Sequence, residues 1–403
     1  MAKRFRASAK QRAVIWEQLL RVFTASDGLV SVTVVILGFL VGTLLILAVG
    51  RSPGGMYSAI VQVMSGFDLR RWTEAEGPLA QWLTNTLGVA VQVPRWNVRY
   101  IGEWLVMSMP LILCGLSMAF AARTGLFNIG AEGQYIVGLT AAQFMALYGP
   151  PIPGLHWVLA VSAALAAGAC WGGIVGFLKA RFNVSEVVAT IMMNYIAFYA
   201  SRYSTMQIPG ANTFQTPPLP PTARLVSPFL ESITNGSRLN YGLYLTIGGI
   251  WFFWLVMGKT RFGYALRATG LNKDAARYGG ISVQASLTAS MAIAGAFAGL
   301  AGAVVSLGVF PAGRVLSVQD GYGFDGIAVA LVGNSTAGGT ALAGLLFGML
   351  KSAQPLMQSR QIPKEITAII MGLVVVFISL RGGVRIIIDW QLKEKARKER
   401  IGE

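Results

Sequence analysis

Stretches of about 20 apolar residues recur along this sequence, and no other feature constrains the fold as strongly. An α-helix needs about that length to cross the hydrocarbon core of a bilayer. Of the 403 residues, 54% are hydrophobic and only 12% are charged, whereas soluble domains carry about 25% charged residues. The sequence therefore excludes a soluble globular protein and predicts an all-α polytopic membrane protein.

The apolar stretches define about ten membrane segments, including one half-helix. The apolar run from Gly326 to Val332 is too short to span and is followed by the motif GNSTAGG. We expect it to enter the membrane and turn back, which is tolerated only where protein or water surrounds the turn. The other nine segments are long enough to cross: 29–49, 103–122, 127–147, 156–178, 185–203, 241–257, 286–308, 339–357 and 365–381.

Basic residues predict the orientation, because they concentrate on the cytoplasmic side of a membrane protein. Residues 1–28 form a basic amphipathic segment, and residues 386–403 form a basic tail, so both termini are expected in the cytoplasm. The membrane domain between them covers residues 29–385. The net charge of +16 follows from this topology, and we expect no nucleic-acid partner. Three long connections join the segments, namely the external loops 51–102 and 204–240 and the basic cytoplasmic segment 259–284.

The composition of these connections and of the segments predicts local structure. We expect short interfacial helices in loop 51–102 and irregular structure in loop 204–240, which is rich in Pro, Ser, Thr and Asn. The stretch AIAGAFAGLAGA places Gly295 and Gly299 four residues apart, with Gly302 one turn further. Small residues at this spacing allow two helices to approach closely in lipid.

The sequence contains no convincing catalytic, nucleotide or metal site. Gly-Lys-Thr at 258–260 resembles the end of a phosphate-binding loop, but Phe253 stands where that loop requires glycine. Ser335 would need a nearby base to act as a nucleophile, and the only histidine, His156, lies in a different segment. The two cysteines fit no metal or redox spacing. We therefore expect no catalytic residues and no metal ligands.

The stretch RTGLFNIGAEGQYIVGL carries polar side chains at the edge of a membrane segment. Glu132 lies four residues after Asn128, so on a continuous helix the two would share a face while Gln134 points elsewhere. Polar groups inside a membrane usually face a water-filled path or the bundle interior. Asn128 and Glu132 therefore either line a solute path or pin this helix to a neighbour or to Arg123.

Two further segments have polar features with two possible interpretations. Asn194 lies in the middle of the span TIMMNYIAF, where it either lines a path or bonds to another helix. The cytoplasmic stretch YALRATGLNKDAARY can form a short amphipathic helix, broken at Gly270. That helix is either an ordinary interfacial helix or a docking element for a cytoplasmic partner.

This cytoplasmic stretch resembles the coupling helix of the permease subunits of ABC importers. The coupling helix of that family has the pattern A-x-G-x-N-x-x-A-A-x-x-x-G-I. The stretches RTGLFNIGAEGQ and EVVATIMMNYIA are similar to the members that import nucleosides and simple sugars, and the resemblance covers roughly residues 100–385. The positions that match the coupling pattern are Ala268, Gly270, Asn272, Ala275, Ala276, Gly280 and Ile281.

The resemblance implies a larger, nucleoside-type permease of the branched-chain amino acid, nucleoside and simple sugar family. Such a chain is not an enzyme and binds no cofactor, because ATP and magnesium bind to a partner. The implied partners are a cytoplasmic ABC ATPase, a second permease subunit, an extracytoplasmic substrate-binding protein and the lipid of the bacterial inner membrane. Candidate path residues are Asn128, Glu132, Gln134, Asn194 and Tyr195.

The cargo is left open by the residues themselves. Nucleosides are expected from the resemblance, and simple sugars, branched-chain amino acids or a flavin are the alternatives. A secondary transporter driven by an ion gradient is a further alternative, in which the basic loop would be merely structural. Few carboxylates lie within the segments, and this argues against a proton relay.

Overall fold

A computed structural model describes residues 27–74 and 92–379 of the chain. Within these residues there are fourteen α-helices and four short strands. The helices are α1 (Asp27–Ala48), α2 (Gly54–Ser65), α3 (Arg99–Arg123), α4 (Ala131–Tyr148), α5 (His156–Phe182), α6 (Glu186–Met206), α7 (Pro228–Ile233), α8 (Gly242–Lys259), α9 (Arg261–Leu271), α10 (Lys273–Tyr278), α11 (Val283–Gly308), α12 (Tyr322–Val332), α13 (Ala337–Ser359) and α14 (Glu365–Ser379). The strands are β1 (Phe67–Glu74), β2 (Gln92–Trp96), β3 (Gln215–Pro218) and β4 (Ala312–Arg314).

Ten of these helices coincide with the ten predicted membrane segments. Four of them, α3, α5, α8 and α11, are long and apolar enough to cross a bilayer by length and composition. The prediction of a polytopic helical membrane protein is therefore confirmed. The number of crossings and the cytoplasmic location of both termini stay predictions. The basic segments at the two ends lie outside the described residues, except for the first residues of α1.

The chain divides into two compact units, one of which contains the described residues 27–51 and 365–379. In this unit α1 packs against α14. The side chain of Val374 lies close to Gly38, where a Cβ atom would come within 2.6 Å of it. A small residue on α1 therefore lets the two helices approach each other.

In the second unit, residues 52–364, helix α11 packs against α3, α4 and α5. Its glycines form the predicted close contact with a neighbouring helix. A Cβ atom at Gly295 would lie 2.9 Å from the carbonyl carbon of Gly168, and one at Gly172 would lie 3.1 Å from the Cα of Gly295. Gly302 approaches Leu139 on α4 in the same way. The prediction that these glycines permit tight packing is confirmed.

The long connections contain more regular structure than their composition predicts. Loop 51–102 holds the expected short helix α2, but also the antiparallel pair β1–β2, with Phe67 opposite Trp96. Loop 204–240 holds β3, a 3₁₀ turn and α7. Strand β3 pairs with β4, and the N–H of Leu225 donates to the carbonyl of Leu307 at 3.0 Å. The described residues are mostly helical, as the all-α prediction requires. The expectation of an irregular second loop was wrong where β3 forms, because its backbone partners come from distant residues.

The predicted half-helix is α12. It has 11 residues, or about 16 Å of helix, which is roughly half of a bilayer core. It ends at Val332, Gly333 follows as its C-cap, and the next two residues, Asn334 and Ser335, both adopt left-handed backbone conformations. Thr336 then caps α13 by accepting a hydrogen bond from the N–H of Gly339 at 3.1 Å. The turn at GNSTAGG is therefore confirmed.

Candidate functional site

The polar stretch between α3 and α4 is a turn, not a continuous helix. Helix α3 ends at Arg123, Gly125 is left-handed, and α4 begins only at Ala131. Asn128 therefore precedes the helix and does not share a face with Glu132. The prediction of a common face was wrong, because the spacing argument assumed unbroken helical backbone.

Asn128 pairs with Gln134, the residue that we expected to point elsewhere. The Asn128 amide donates to Gln134 Oε1 at 2.9 Å, and the Gln134 amide donates back to Asn128 Oδ1 at 3.1 Å. Asn128 also donates to Ser117 Oγ on α3 at 3.0 Å. Both amides are buried, so the two side chains satisfy each other and hold the turn against α3.

Glu132 is buried and binds the beginning of the half-helix. Its carboxylate oxygens accept hydrogen bonds from the N–H groups of Gly321 at 2.8 Å and Gly323 at 2.6 Å. A carboxylate at this position satisfies free N–H groups and interacts favourably with the helix dipole. Gly323 permits the approach, because a Cβ atom there would lie 2.6 Å from the carbonyl carbon of Ala131. Glu132 thus joins α4 to α12.

Asn194 holds the same turn from α6. Its Oδ1 accepts from the N–H of Gly133 at 2.8 Å, and its Nδ2 donates to the carbonyl of Ile129 at 3.0 Å. These contacts agree with the interpretation of Asn194 as an interhelical hydrogen-bonding residue. The structure therefore brings four of the five candidate path residues together as a packed polar network: Asn128, Glu132, Gln134 and Asn194.

Tyr195, the fifth candidate, lies outside this network and is 54% exposed. Tyr199 and Tyr203 are also exposed and continue the same side along the helix. No hydrogen bond of these three hydroxyls is found within residues 27–74 and 92–379. A polar group facing hydrocarbon is costly, so this surface of α6, which we call the tyrosine face, suits contact with protein or water better than contact with lipid.

The basic segment 259–284 contains two helices, α9 and α10, that are separated by Asn272. The expected break at Gly270 was wrong, because α9 continues to Leu271. Asn272 ends it with an extended backbone and caps α10 by accepting hydrogen bonds from the N–H groups of Asp274 and Ala275. Asparagine competes for backbone N–H groups in this way and so favours a cap over a helix interior.

Gly270 instead contacts the turn that follows α3. A Cβ atom at Gly270 would lie 2.9 Å from the carbonyl carbon of Thr124 and 3.0 Å from the nitrogen of Gly125, and closer still to the carbonyl oxygen of Arg123. Because these are backbone atoms, no side-chain rotation could relieve the clash. Helix α9 therefore packs directly against residues 123–125.

Residues 123–125 also reach the half-helix and α11. The Arg123 guanidinium donates from Nε to the carbonyl of Ser335 at 2.8 Å, in the left-handed turn after α12. Ser290 on α11 donates to Thr124 Oγ1 at 2.8 Å. A displacement of α9 would therefore act on one turn that contacts both elements.

The other coupling positions differ in accessibility. Ala276 is buried among side chains of this chain, including Val175 and Val283, whereas Asn272, Ala275 and Gly280 are exposed. Ala268 is half-buried beside the same cluster. Sequence reasoning missed two apolar side chains, Leu271 and Tyr278, which are 89% and 95% exposed. Helical periodicity could not identify them, because the break at Asn272 changes which side each helix presents.

No group of three or more His, Cys, Asp or Glu side chains that could hold a metal ion occurs in the described part of the chain. The candidate site therefore consists of a hydrogen-bonded network around the turn after α3 and the exposed surface of α9 and α10 that is joined to it.

Comparison with known proteins decides the family. Residues 100–379 match the family of branched-chain amino acid transport system permease components. The chain belongs to this family. The expected resemblance is thereby confirmed, and the chain is a multi-pass membrane transport subunit and not an enzyme. No solved structure matches this permease.

The permease is similar to several curated transport proteins. It is 39% identical to the guanosine ABC transporter permease protein NupP of Bacillus subtilis, over 91% of this chain and 97% of the relative. It is 34% identical to the nucleoside ABC transporter permease protein NupB of Lactococcus lactis, over 88% and 91% of the two chains. It is 33% identical to the glucose ABC transporter permease protein TsgB13 of Haloferax volcanii, over 68% and 75%.

Proposed function

We propose that this chain is the larger permease subunit of an ATP-driven importer of nucleosides in the bacterial inner membrane. The similarity to NupP, which extends over nearly the whole of both chains, carries the assignment of cargo. In this proposal the chain spans the membrane with ten segments, including the half-helix α12, and both termini are cytoplasmic.

The exposed residues of α9 and α10 support docking of a cytoplasmic ATPase, which would bind ATP and magnesium. Leu271 and Tyr278 present apolar surface beside the exposed cations Lys273 and Arg277. Exposed apolar side chains surrounded by polar residues are typical of protein interaction sites. The docking surface that we propose consists of Leu271, Asn272, Ala275 and Tyr278.

ATP-driven movement of this surface would reach the membrane through Gly270. Backbone contact allows little independent motion between Gly270 and residues 123–125. Arg123 then contacts the turn at Ser335, and Glu132 holds the opposite end of α12. We infer that the half-helix changes position between the outward-open and inward-open states as a bistable element.

The tyrosine face of α6 is the proposed contact with the translocation path and the second permease subunit. Tyrosine combines an aromatic ring with a hydroxyl, so it can contact both the base and the ribose of a nucleoside. Tyr195 lies near the middle of α6. Recognition of the solute before entry would belong to an extracytoplasmic binding protein.

A glucose importer is the second candidate, because TsgB13 is 33% identical over two-thirds of the chain. Branched-chain amino acids and flavins have no comparable support among these relatives. An ion-coupled secondary transporter would not require a docking surface for an ATPase. A transport assay therefore distinguishes the cargo alternatives by the solute that is taken up. It distinguishes a secondary transporter from an ATP-driven importer by the energy source of uptake.

The test is uptake into liposomes that contain this chain, its ATPase and the second permease, with the binding protein added outside. We expect uptake of labelled guanosine that requires both ATP and the binding protein, and none of leucine. ATP-dependent uptake of glucose in place of guanosine would refute the cargo. Uptake that is independent of ATP but follows an ion gradient would refute the importer itself.

A further inference from the structure

A cleft of about 350 Å³ lies between α3, α11, α12 and α13, on the side predicted to face outward. Clefts of at least about 300 Å³ with apolar walls and a few polar groups are typical of small-molecule sites. Its walls include the aromatic side chains of Phe310 and Tyr322. It adjoins the network at Glu132, which binds Gly321 and Gly323 on either side of the lining residue Tyr322.

Two prolines line this cleft, each inside a helix. They are Pro110 in α3 and Pro355 in α13. Proline has no N–H, so it cannot donate to the carbonyl four residues earlier. Those carbonyls belong to Val106 and Lys351, and both residues line the same cleft. Two residues whose carbonyls lack the usual helical donor therefore line one cavity.

Side-chain amides add further hydrogen-bonding groups. Gln354 and Gln358 lie one turn apart on α13 and line the cleft. Within the described part of the chain, neither amide has a hydrogen-bond partner. An amide offers both a donor and an acceptor, which suits a solute with hydroxyl, amine and carbonyl groups.

Three of the cations around the cleft are neutralised by carboxylates of this chain. Arg314 pairs with Asp320, through a bond from Nη2 at 2.8 Å among others. Lys351 pairs with Asp325 at 2.5 Å, and Arg238 pairs with Glu103 at 2.6 Å. Lys364 lies at the exposed rim.

The ion pair with Asp320 outweighs the effect of burial on the pKa of Arg314. Burial alone would lower the pKa of Arg314, but the hydrogen bond and charge of Asp320 raise it above its ordinary value. The guanidinium therefore stays charged and occupied by Asp320. A phosphate would have to compete with that carboxylate, whereas an uncharged solute would not.

We propose that this cleft is a solute-binding subsite of the permease, selective for an uncharged nucleoside over its phosphorylated form. The proposal rests on the proposed function for its solute. The carbonyls of Val106 and Lys351 accept hydrogen bonds from the solute, the amides of Gln354 and Gln358 bind its polar edge, and the apolar part of the lining, which includes Val305 and Val309, contacts its ring.

The test uses photoaffinity labelling of the complete transporter without ATP or binding protein. The probe is 8-azidoguanosine, and the labelled peptides are identified by mass spectrometry. We expect labels on α3, α12 or α13 within the cleft, competed by guanosine and not by guanosine 5′-monophosphate. Labels confined to other surfaces, no labelling at all, or equal competition by the monophosphate would overturn the proposal.

Variants test the individual groups. Pro355→Ala restores the missing N–H, which would engage the carbonyl of Lys351 within the helix and not perturb folding. We expect about tenfold less labelling in Pro355→Ala and in Gln354→Ala, as for the loss of one hydrogen bond at about 1.4 kcal/mol. Ser352→Ala, on the same helix but outside the cleft lining, is the control. Labelling of both cleft variants at the control level would refute the proposal.

Guanosine uptake by the wild-type complex is measured in parallel. Absence of ATP-dependent guanosine uptake contradicts the proposed function, whatever the labelling shows. Normal uptake without labels in the cleft contradicts only the subsite. The two proposals can therefore fail separately.

Discussion

Replacing Gly270 with alanine tests whether the backbone contact between α9 and residues 123–125 transmits force. The new Cβ atom would lie 2.9 Å from the carbonyl carbon of Thr124, and ordinary contacts begin at 3.4 Å. The two segments must therefore separate by at least about half an ångström. No rotamer change can relieve the contact, because backbone atoms lie on the opposing side.

The magnitude follows from the known cost of overpacking. Adding a methyl group to a closely packed contact costs about 1–3 kcal/mol. If the contact between Gly270 and residues 123–125 belongs to the state that couples ATP hydrolysis to transport, this cost lowers the population of that state by roughly 5- to 150-fold. We therefore expect the number of nucleosides imported per ATP hydrolysed to fall at least about fivefold, while ATP hydrolysis itself persists.

The control is Gly258→Ala, near the end of α8. Nothing lies within 4 Å of a Cβ atom at that position. Both substitutions replace a helical glycine with alanine, so both gain about 1 kcal/mol of helix propensity. The difference between them isolates the contact with residues 123–125.

The assay measures uptake and phosphate release in the same proteoliposomes, with thermal unfolding of the purified complex as a check on folding. A Gly270→Ala transporter that is stable and imports as many nucleosides per ATP as the Gly258→Ala control would refute this coupling route. Equal losses of coupling in both variants would also refute it, since Gly258 makes no comparable contact.

Two further substitutions test the network and the docking surface. Glu132→Gln leaves one side-chain oxygen for two N–H groups, which costs about 1.5–3 kcal/mol of stability. We therefore expect the melting temperature and the uptake to fall together. Lost uptake at an unchanged melting temperature would instead indicate a direct role of Glu132 in the solute path. Leu271→Ser combined with Tyr278→Ser removes exposed apolar surface, so we expect weaker co-purification of the ATPase with an unchanged melting temperature of the isolated permease. Undiminished ATPase binding would exclude this surface as the docking site.

Much of the fold could be predicted because its signals are local. Apolar runs reveal membrane segments through their length, and the ten helices coincide with the predicted ranges. The short run before GNSTAGG predicted the half-helix for the same reason. The glycines of α11 also predicted close packing, although the sequence could not reveal that Gly168 and Gly172 face them.

The polar network could be predicted only in its membership. Asn128, Glu132, Gln134 and Asn194 stand out as polar residues in apolar surroundings. Their pairings were not predictable, because Gly125 and the turn after α3 interrupt the helical periodicity on which the spacing argument depended. The strands were missed because each pairs with residues far away in the chain.

The sequence by itself determined the class of protein, the approximate membrane segments and the segment that resembles a coupling helix. Length and hydrophobicity act residue by residue, so they can be read without knowing which elements become neighbours. Only the tertiary structure decided that Glu132 caps the half-helix, that Gly270 rests on residues 123–125, and that Pro110 and Pro355 face one cleft. Each of these contacts joins segments far apart in the chain, and helix packing alone selects which of the available polar groups become partners.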